Sequence, residues 1–392
     1  MSNLPLHGAL SDNKLEVIEK GGVVISGDKI IEVGSFKNLF KKKYQLIEIN
    51  NPQVLLPGFI DCHTHICHFG SRSDEYSKRN AGVSYQKILS EGGGIHNTMS
   101  ATEKASDDDL LNVTIKRLDR HLKEGVLTCE VKSGYGSNLS EEVRLLSLIN
   151  QLNISHIVDI VPTCLAAHVT PKGYKSSSEY LEKIIEELIP IIKKRKLTDR
   201  VDIFIEEKAF SVNESLKYLS ELKNDFDITV HANQFSSGGV EVAVKSRAKS
   251  ADHLEVLNEK EIKLLSKSNT SAVVLPGCSL GLGIPFAPAR KLLDGNCKLS
   301  IATDWNPGSA PMGDLLHQAS LLGSIEKLTN AEIFSAITFR AADALGLEDR
   351  GRIEKYKIAD FIGFETNDYK EILYHQGKLK PSLICKRGEI YN

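Results

Sequence analysis

His63 and His65, one residue apart, are the first residues of this 392-residue chain whose spacing suggests chemistry. They follow the apolar run Val54-Leu55-Leu56-Pro57-Gly58-Phe59-Ile60, which reads as a strand. Side chains alternate faces along a strand, so the two imidazoles share a face while Thr64 points away. Two imidazoles placed in this way can hold one ion. A His-x-His in an arbitrary soluble protein is usually not a ligand pair; its place at the end of an apolar strand is what gives it weight. Two more candidates end other apolar runs, His231 after Asp227-Ile228-Thr229-Val230 and Asp304 after Lys298-Leu299-Ser300-Ile301-Ala302-Thr303. Each has a plainer reading, His231 as a packed core histidine and Asp304 as a helix cap or part of a turn with Asn306-Pro307-Gly308. Three neutral imidazoles and a carboxylate suit zinc or ferrous iron and leave one position for water. The chemistry this implies is hydrolysis by water that a metal has made acidic. His253, which ends Ser250-Ala251-Asp252-His253, reads as a fifth ligand, a catalytic acid or a structural residue.

Residues at the ends of separate strands meet only if those strands lie side by side. Eight strand candidates end near His65, Lys132, His168, Glu207, His231, His253, Gly277 and Asp304, with helix-period segments between them. Eight βα repeats over about 290 residues fit an α/β fold of the TIM-like (β/α)8 barrel type, in which polar strand ends converge on the mouth. A doubly wound open sheet is the alternative, although no G-x-G-x-x-G follows an early strand. Residues 178–194 carry apolar side chains at 3- and 4-residue spacing, which predicts a helix with Ser178 as its N-cap and a disturbance at Pro190. Both chain ends read as strands: 22–34 with a turn at Gly27-Asp28, then 359–364 and 382–388. The expected organisation is a small β-sandwich built from residues 1–56 and 349–392, flanking a barrel over 57–348.

Composition excludes several classes. A net charge of −2 gives no global field favouring nucleic acid or an anionic membrane. No apolar run approaches the roughly 18 residues of a membrane span, and the N-terminus lacks a signal-peptide pattern. The seven cysteines are scattered, odd in number and without a Cys-x-x-Cys pair. These features lead one to expect a cytoplasmic protein with reduced thiols and neither a nucleic-acid nor a membrane partner.

The residues resemble the amidohydrolase superfamily and, within it, the imidazolonepropionase family, over nearly the whole chain. The segments that carry the resemblance include 57–65, Gly70-Ser71-Arg72-Ser73-Asp74-Glu75, Glu130-Val131-Lys132-Ser133-Gly134-Tyr135-Gly136, His231-Ala232-Asn233-Gln234 and 302–309. Further matches are Ala166-Ala167-His168, 250–255 and Leu275-Pro276-Gly277. The His-x-His alone points only to the superfamily; the Gly-Ser-Arg and Lys-Ser-Gly-Tyr-Gly segments are far more specific. The resemblance implies a metal-dependent hydrolase barrel with a mononuclear site of His63, His65, His231 and Asp304, holding one Zn2+ or Fe2+/Fe3+ per subunit. It implies substrate contacts from Arg72, Tyr135, His168, Gln234, Asn306, Gly308 and Ser309, with catalytic roles for Asp304 and His253. The implied reaction opens the cyclic amide of 4-imidazolone-5-propanoate to N-formimidoyl-L-glutamate, a step of histidine degradation, and the implied assembly is a homodimer. The arginine fork of Arg72 suits the substrate's carboxylate tail. Superfamily members with two metals bridge them after the fourth strand, where Ile205-Glu206-Glu207-Lys208 offers a glutamate or Lys208 as the lesser expectation. Rival readings are a deaminase or cyclic amidase acting on another heterocycle, and a non-catalytic barrel that only binds. Asn233, Trp305 and the stretch 278–285 depart from the family pattern and bear on pocket shape. The run Gly92-Gly93-Gly94 reads as a mobile cover or an ordinary loop.

Overall fold

A computed structural model describes all residues except 2, 42–43, 50, 84–86, 88–92, 208 and 392. Near the start, β1 (Gly21–Ser26) and β2 (Lys29–Ser35) pair antiparallel about the Gly27-Asp28 turn, where Gly27 takes φ +60°. β3 (Val54–Pro57) is followed after a single glycine by β4 (Phe59–Asp61). A Cβ on Gly58 would stand 2.5 Å from Leu127, so only glycine passes there. Seven more strands follow: β5 (Val126–Lys132), β6 (Asp159–Ala167), β7 (Arg200–Phe204), β8 (Asp227–Ala232), β9 (Ser250–His253), β10 (Ser271–Val274) and β11 (Leu299–Ile301). β12 (Phe361–Phe364), β13 (Leu383–Lys386) and β14 (Glu389–Tyr391) end the chain.

β4 to β11 form one sheet in sequence order, each neighbour pair parallel. The sheet closes just beyond its two edges. The amide of His65 donates to the carbonyl of Trp305 at 3.0 Å, and that of Asp304 to His63 at 3.0 Å. The Asp61 carboxylate locks the same seam, accepting from the Thr303 amide at 3.0 Å and the Thr303 hydroxyl at 2.6 Å. The barrel thus replaces the open-sheet alternative.

Helices coat the barrel because their apolar positions recur on one face. In Asp107–Lys123, Leu110, Thr114, Leu118 and His121 are buried, and Ser106 caps the start by accepting from the Asp109 amide. Val212–Leu222 opens with a capping box between Ser211 and Glu214. The helix expected over 178–194 runs from Ser177 to Arg195 with Ser176, not Ser178, at its N-cap. The Ser178 hydroxyl instead donates to Glu214 at 2.8 Å. A π-helical turn over Ile184–Leu188 lies just ahead of Pro190, and the helix continues. Proline cannot supply its amide hydrogen, and the wider turn accommodates that loss.

Strands from both chain ends make the second unit. β3, β12, β13 and β14 form an antiparallel sheet in the order β14-β13-β12-β3. The β1–β2 hairpin shares a small core with it: Ile30, Ala359, Phe361, Leu383 and Cys385 are buried against Val23, Ile25, Val33 and Leu55. Lys386 ties this sheet to the barrel, its ammonium 2.6 Å from Asp360, 2.9 Å from Asp159 and 3.1 Å from the Leu127 carbonyl. Leu4 and Leu10 lie in neither sheet; they pack on Ala331 and Phe339 beside barrel helices. All seven cysteines are buried and unpaired. Among the described residues, no helix is long and apolar enough to cross a membrane.

Thr303→Val keeps the volume at the seam but leaves the buried Asp61 carboxylate without its hydroxyl donor. We expect a loss of about 1–3 kcal/mol in denaturant unfolding; an unchanged midpoint would show that the seam does not depend on this bond.

Candidate metal centre

Past the last paired residue of β4, the chain carries His63 and His65 into the barrel mouth. β8 delivers His231, and the chain beyond β11 delivers Asp304 in a left-handed backbone conformation, φ +53°. The Nε2 atoms of His63 and His231 lie 3.2 and 3.3 Å from Nε2 of His65. Oδ1 of Asp304 is 3.5 Å from Nε2 of His63 and 3.4 Å from Nε2 of His65. None of the four residues is more than 3% exposed. Ligand atoms roughly 2.0–2.1 Å from a common tetrahedral ion stand about 3.3–3.4 Å apart. The three histidines, with Asp304 against two of them, therefore have the spacing of a coordination shell, and an imidazole-rich donor set suits zinc or iron.

Outer contacts fix which nitrogen faces inward. Nδ1 of His63 is 2.7 Å from Oδ2 of Asp252, and Nδ1 of His231 is 3.0 Å from Oδ2 of Asp202. A proton held on each Nδ1 leaves the Nε2 lone pair pointing into the mouth. Behind them the ammonium of Lys132 is 2.8 Å from both Asp202 and Glu130, and 3.9 Å from Asp252. Burial alone would lower Lys132, but Asp202, Glu130 and Asp252 more than reverse this and hold it above the usual ammonium range. Burial, followed by neighbouring positive charge, holds His63 and His65 well below the ordinary imidazole value. His231 is lowered to about 4, chiefly by burial, so all three rings are neutral near pH 7. Burial raises Asp304 to about 6, against a lowering pull from His253.

His253 ends β9 within the same cluster, its ring 5.8 Å from His63 and 5.3 Å from His231. It also groups with His63 and Asp304, with ligand atoms within 4.8 Å of one another. Burial lowers its pKa, but Glu255 and then Cys278 push it well above the usual imidazole range. Three neutral imidazoles and one proton-bearing imidazole therefore surround a carboxylate.

The residues implied as substrate contacts fall into three places around this centre. His168 stacks on His65 at 5.3 Å, with Nδ1 3.2 Å from the Gly134 carbonyl, and Tyr135 lies 6.0 Å from His168. Gln234 sits on another side, its amide donating to Sγ of Cys278 at 3.1 Å. The third place is the loop after Asp304. There Oδ1 of Asn306 accepts from the amides of Gly308 and Ser309, both at 2.8 Å, while the Ser309 hydroxyl is 3.3 Å from Oδ2 of Asp304. Arg72 lies against this loop so closely that a Cβ on Gly308 would stand 2.2 Å from its Nη1. Glu75 holds Arg72 through Nε at 2.9 Å and also accepts from the Gly94 amide at 3.1 Å. Gly94 is thus anchored beside the arginine, whereas Gly92 lies outside the described residues.

The departures from the family pattern turn their side chains elsewhere. Asn233, at φ +57°, bonds the Val256 carbonyl, Glu261 and the Val240 amide. Trp305 packs edge-on against His121 at 4.8 Å, with the Arg120 guanidinium 4.6 Å from its ring. In the stretch 278–285, Cys278 meets Gln234, and Gly281 packs so closely on Ser309 that a Cβ there would stand 1.6 Å from its carbonyl oxygen. At the position considered for a bridging ligand, Glu206 accepts from the Phe235 and Ser236 amides and Glu207 is exposed. Lys208 lies outside the described residues. Sequence reasoning missed Asp202, Asp252, Glu130 and the part played by Lys132. Their signal was present: charged residues inside strands buried on both faces need partners. It named neither those partners nor Glu255.

If Asp252 sets the orientation of His63, Asp252→Asn weakens zinc or iron binding by about 10–100-fold, read by competition with a chelator. Wild-type affinity in that variant would remove Asp252 from the outer shell.

Residues 54–390 match the amidohydrolase family. The chain is 40% identical over 390 residues to an imidazolonepropionase of Thermoanaerobacter pseudethanolicus, an alignment covering 98% of this chain and 93% of that protein. It is 37% identical over 388 residues to the imidazolonepropionase of Bdellovibrio bacteriovorus, covering 97% and 90%. Among solved structures, it resembles a zinc-bound adenosine deaminase from Xanthomonas campestris, with a TM-score of 0.70 at 16% identity over 95% of this chain and 88% of the other. A zinc complex of atrazine chlorohydrolase from Arthrobacter aurescens gives 0.69 at 14% identity, over 97% and 92%. The distant structures share the fold, and the near-full-length matches narrow the placement: the chain belongs to the amidohydrolase family and, within it, to the imidazolonepropionases.

Proposed function

We propose that this protein hydrolyses the cyclic amide of 4-imidazolone-5-propanoate to N-formimidoyl-L-glutamate, a step of histidine degradation. The observation that carries the reading is the junction of two kinds of site on one loop: Asp304 in a three-histidine centre, and Arg72 held against Gly308 four residues further on. A hydrolysable ring with an anionic tail matches that pairing. A deaminase or cyclic amidase for a ring without a carboxylate would not need the guanidinium. The relatives' name supports the same substrate.

In this reading His63, His65, His231 and Asp304 hold a single zinc or iron ion. When bound, the ion supplies Lewis acidity that lowers the pKa of water from near 16 to about 7. Asp304, steadied by the Ser309 hydroxyl, accepts the proton of the attacking water and returns it to the departing ring nitrogen. The water oxygen becomes part of the new carboxylate as the ring C–N bond breaks. His253, kept protonated by Glu255, donates to the carbonyl oxygen as negative charge develops there. Arg72 holds the propanoate tail, with Tyr135, His168, Gln234, Asn306, Gly308 and Ser309 shaping the remaining contacts, so that binding fixes orientation.

The proposal extends to a homodimer working in the cytoplasm, with residues 57–348 as the hydrolase unit and 1–56 and 349–392 as its companion. The family resemblance supports the dimer, and the unpaired cysteines support a reducing compartment.

Freshly generated imidazolone-propanoate should lose its ultraviolet absorbance with metal-loaded protein and yield formimidoyl-glutamate. No turnover by protein carrying one metal per chain would move the substrate to another heterocycle. Asp304→Asn should lower kcat by roughly 10²–10⁴ while the fold is kept. Arg72→Ala should raise KM by roughly tenfold or more, with less effect on kcat; an unchanged KM would sink the tail-binding role.

A further inference from the structure

Beside the first centre lies a second convergence of ligand atoms that the proposed hydrolysis does not use as a group. A ring nitrogen of His253, a carboxylate oxygen of Glu255 and Sγ of Cys278 lie within 4.8 Å of one another. The backbone turns left-handed at His253 (φ +86°) and Leu254 (φ +70°), which sets Glu255 against the imidazole. Cys278 arrives from the helix Pro276–Leu282 that follows β10 and is completely buried. The side chains of His253 and Glu255 are each 3% exposed.

The spacing is that of a loose ion pair and also suits a shared ion. Nδ1 of His253 and Oε2 of Glu255 stand 3.5 Å apart, whereas a charge-assisted N–H···O bond closes to roughly 2.7–2.9 Å. Both atoms are buried without a hydrogen-bond partner. Buried polar atoms left in that state are costly, and an ion between them would satisfy both. The Gln234 amide, already 3.1 Å from Sγ, can present its oxygen after a half-turn that barely changes its shape.

We infer that His253, Glu255 and Cys278 form a second cation site, specific for thiophilic divalent ions such as zinc or cadmium, with the Gln234 oxygen or a water as fourth ligand. One imidazole, one carboxylate and one thiolate are a zinc-type set, and the sulfur disfavours magnesium and calcium. On binding, the sulfur–metal bond replaces the S–H bond, and the protons of the thiol and imidazole leave to water. The two negative ligands cancel the charge of the ion, so the loaded cluster is neutral, as a buried group needs to be. A consequence rests on the function proposed above: His253 and Gln234 then serve the ion, and substrate is excluded.

The test uses full-length protein loaded with one zinc per chain and freed of excess metal, then titrated with cadmium. The expected result is one retained zinc and one added cadmium per chain by elemental analysis, with a thiolate-to-cadmium charge-transfer band in the ultraviolet. Cys278→Ser should lose the band and the added cadmium, and Glu255→Gln should weaken cadmium binding at least tenfold. Should the serine variant fail to fold, the glutamine variant carries the test. Cadmium that merely displaces zinc, an absent band, or a band that survives in Cys278→Ser would each overturn the site. Cadmium bound without competitive inhibition of turnover would overturn the exclusion of substrate while leaving the site itself standing.

Discussion

Two imidazole nitrogens held 3.2–3.3 Å from a third, lone pairs inward and out of reach of solvent, are the constraint on which the rest of the structure depends. Neutral nitrogens facing each other at that distance repel unless a cation or a proton lies between them, and burial has made protonation unfavourable. The protein supplies one carboxylate, Asp304, among the nitrogens and puts its other negative charges behind the rings. Asp252 and Asp202 draw the Nδ1 protons outward, and Lys132 keeps those carboxylates from being uncompensated in the core. Removing one member of such a buried lattice strands the others, and an unpaired buried charge is far more costly than an intact pair.

That lattice explains why the barrel has to be closed. Its members come from β5, β7, β8 and β9 and from the chain beyond β4 and β11, so an open sheet would leave part of the ring of ligands without its opposite side. Closure depends on a few polar bonds at one seam, where Asp61 grips Thr303 and the amides of His65 and Asp304 cross to the facing segments. The same bonds fix the position of two ligand-bearing segments, so seam and centre are one construction. The antiparallel unit outside the barrel is tethered to it through Lys386.

Placement of charge also separates the tasks of neighbouring groups. Burial raises Asp304 towards the pH at which it can exchange a proton, while Glu255 keeps His253 in its protonated form. A carboxyl group and an imidazole in one cavity, both raised by their surroundings, are suited to proton exchange. Arg72 is prepared in another way. Glu75 takes its Nε, and the missing side chain of Gly308 leaves room for the outer nitrogens. Cys278 contacts Gln234 and groups with His253 and Glu255, which makes this departure from the family pattern the one with chemical content.

Sequence alone determined the parts that local chemistry specifies. Alternation along a strand placed His63 and His65 on one face, apolar runs ending in polar residues marked eight strands and their order, and the family resemblance pointed to Arg72, Tyr135, His168, Gln234, Asn306, Gly308 and Ser309. The Gly27-Asp28 turn was equally legible, because a hairpin turn is a property of a few adjacent residues. Other features depended on distance in space. Ser176 rather than Ser178 caps its helix, and the Ser178 hydroxyl goes to Glu214 of a different helix. Nothing local announces that Asp202 and Asp252 serve His231 and His63, or that Lys132 joins them, since those contacts cross from strand to strand. The turning of Asn233 and Trp305 away from the mouth, and the meeting of His253, Glu255 and Cys278, likewise follow from backbone angles and packing that only the closed barrel imposes. Residue type and spacing say which groups can do chemistry; which of them share a volume a few ångströms wide is decided when long-range packing brings the strand ends together.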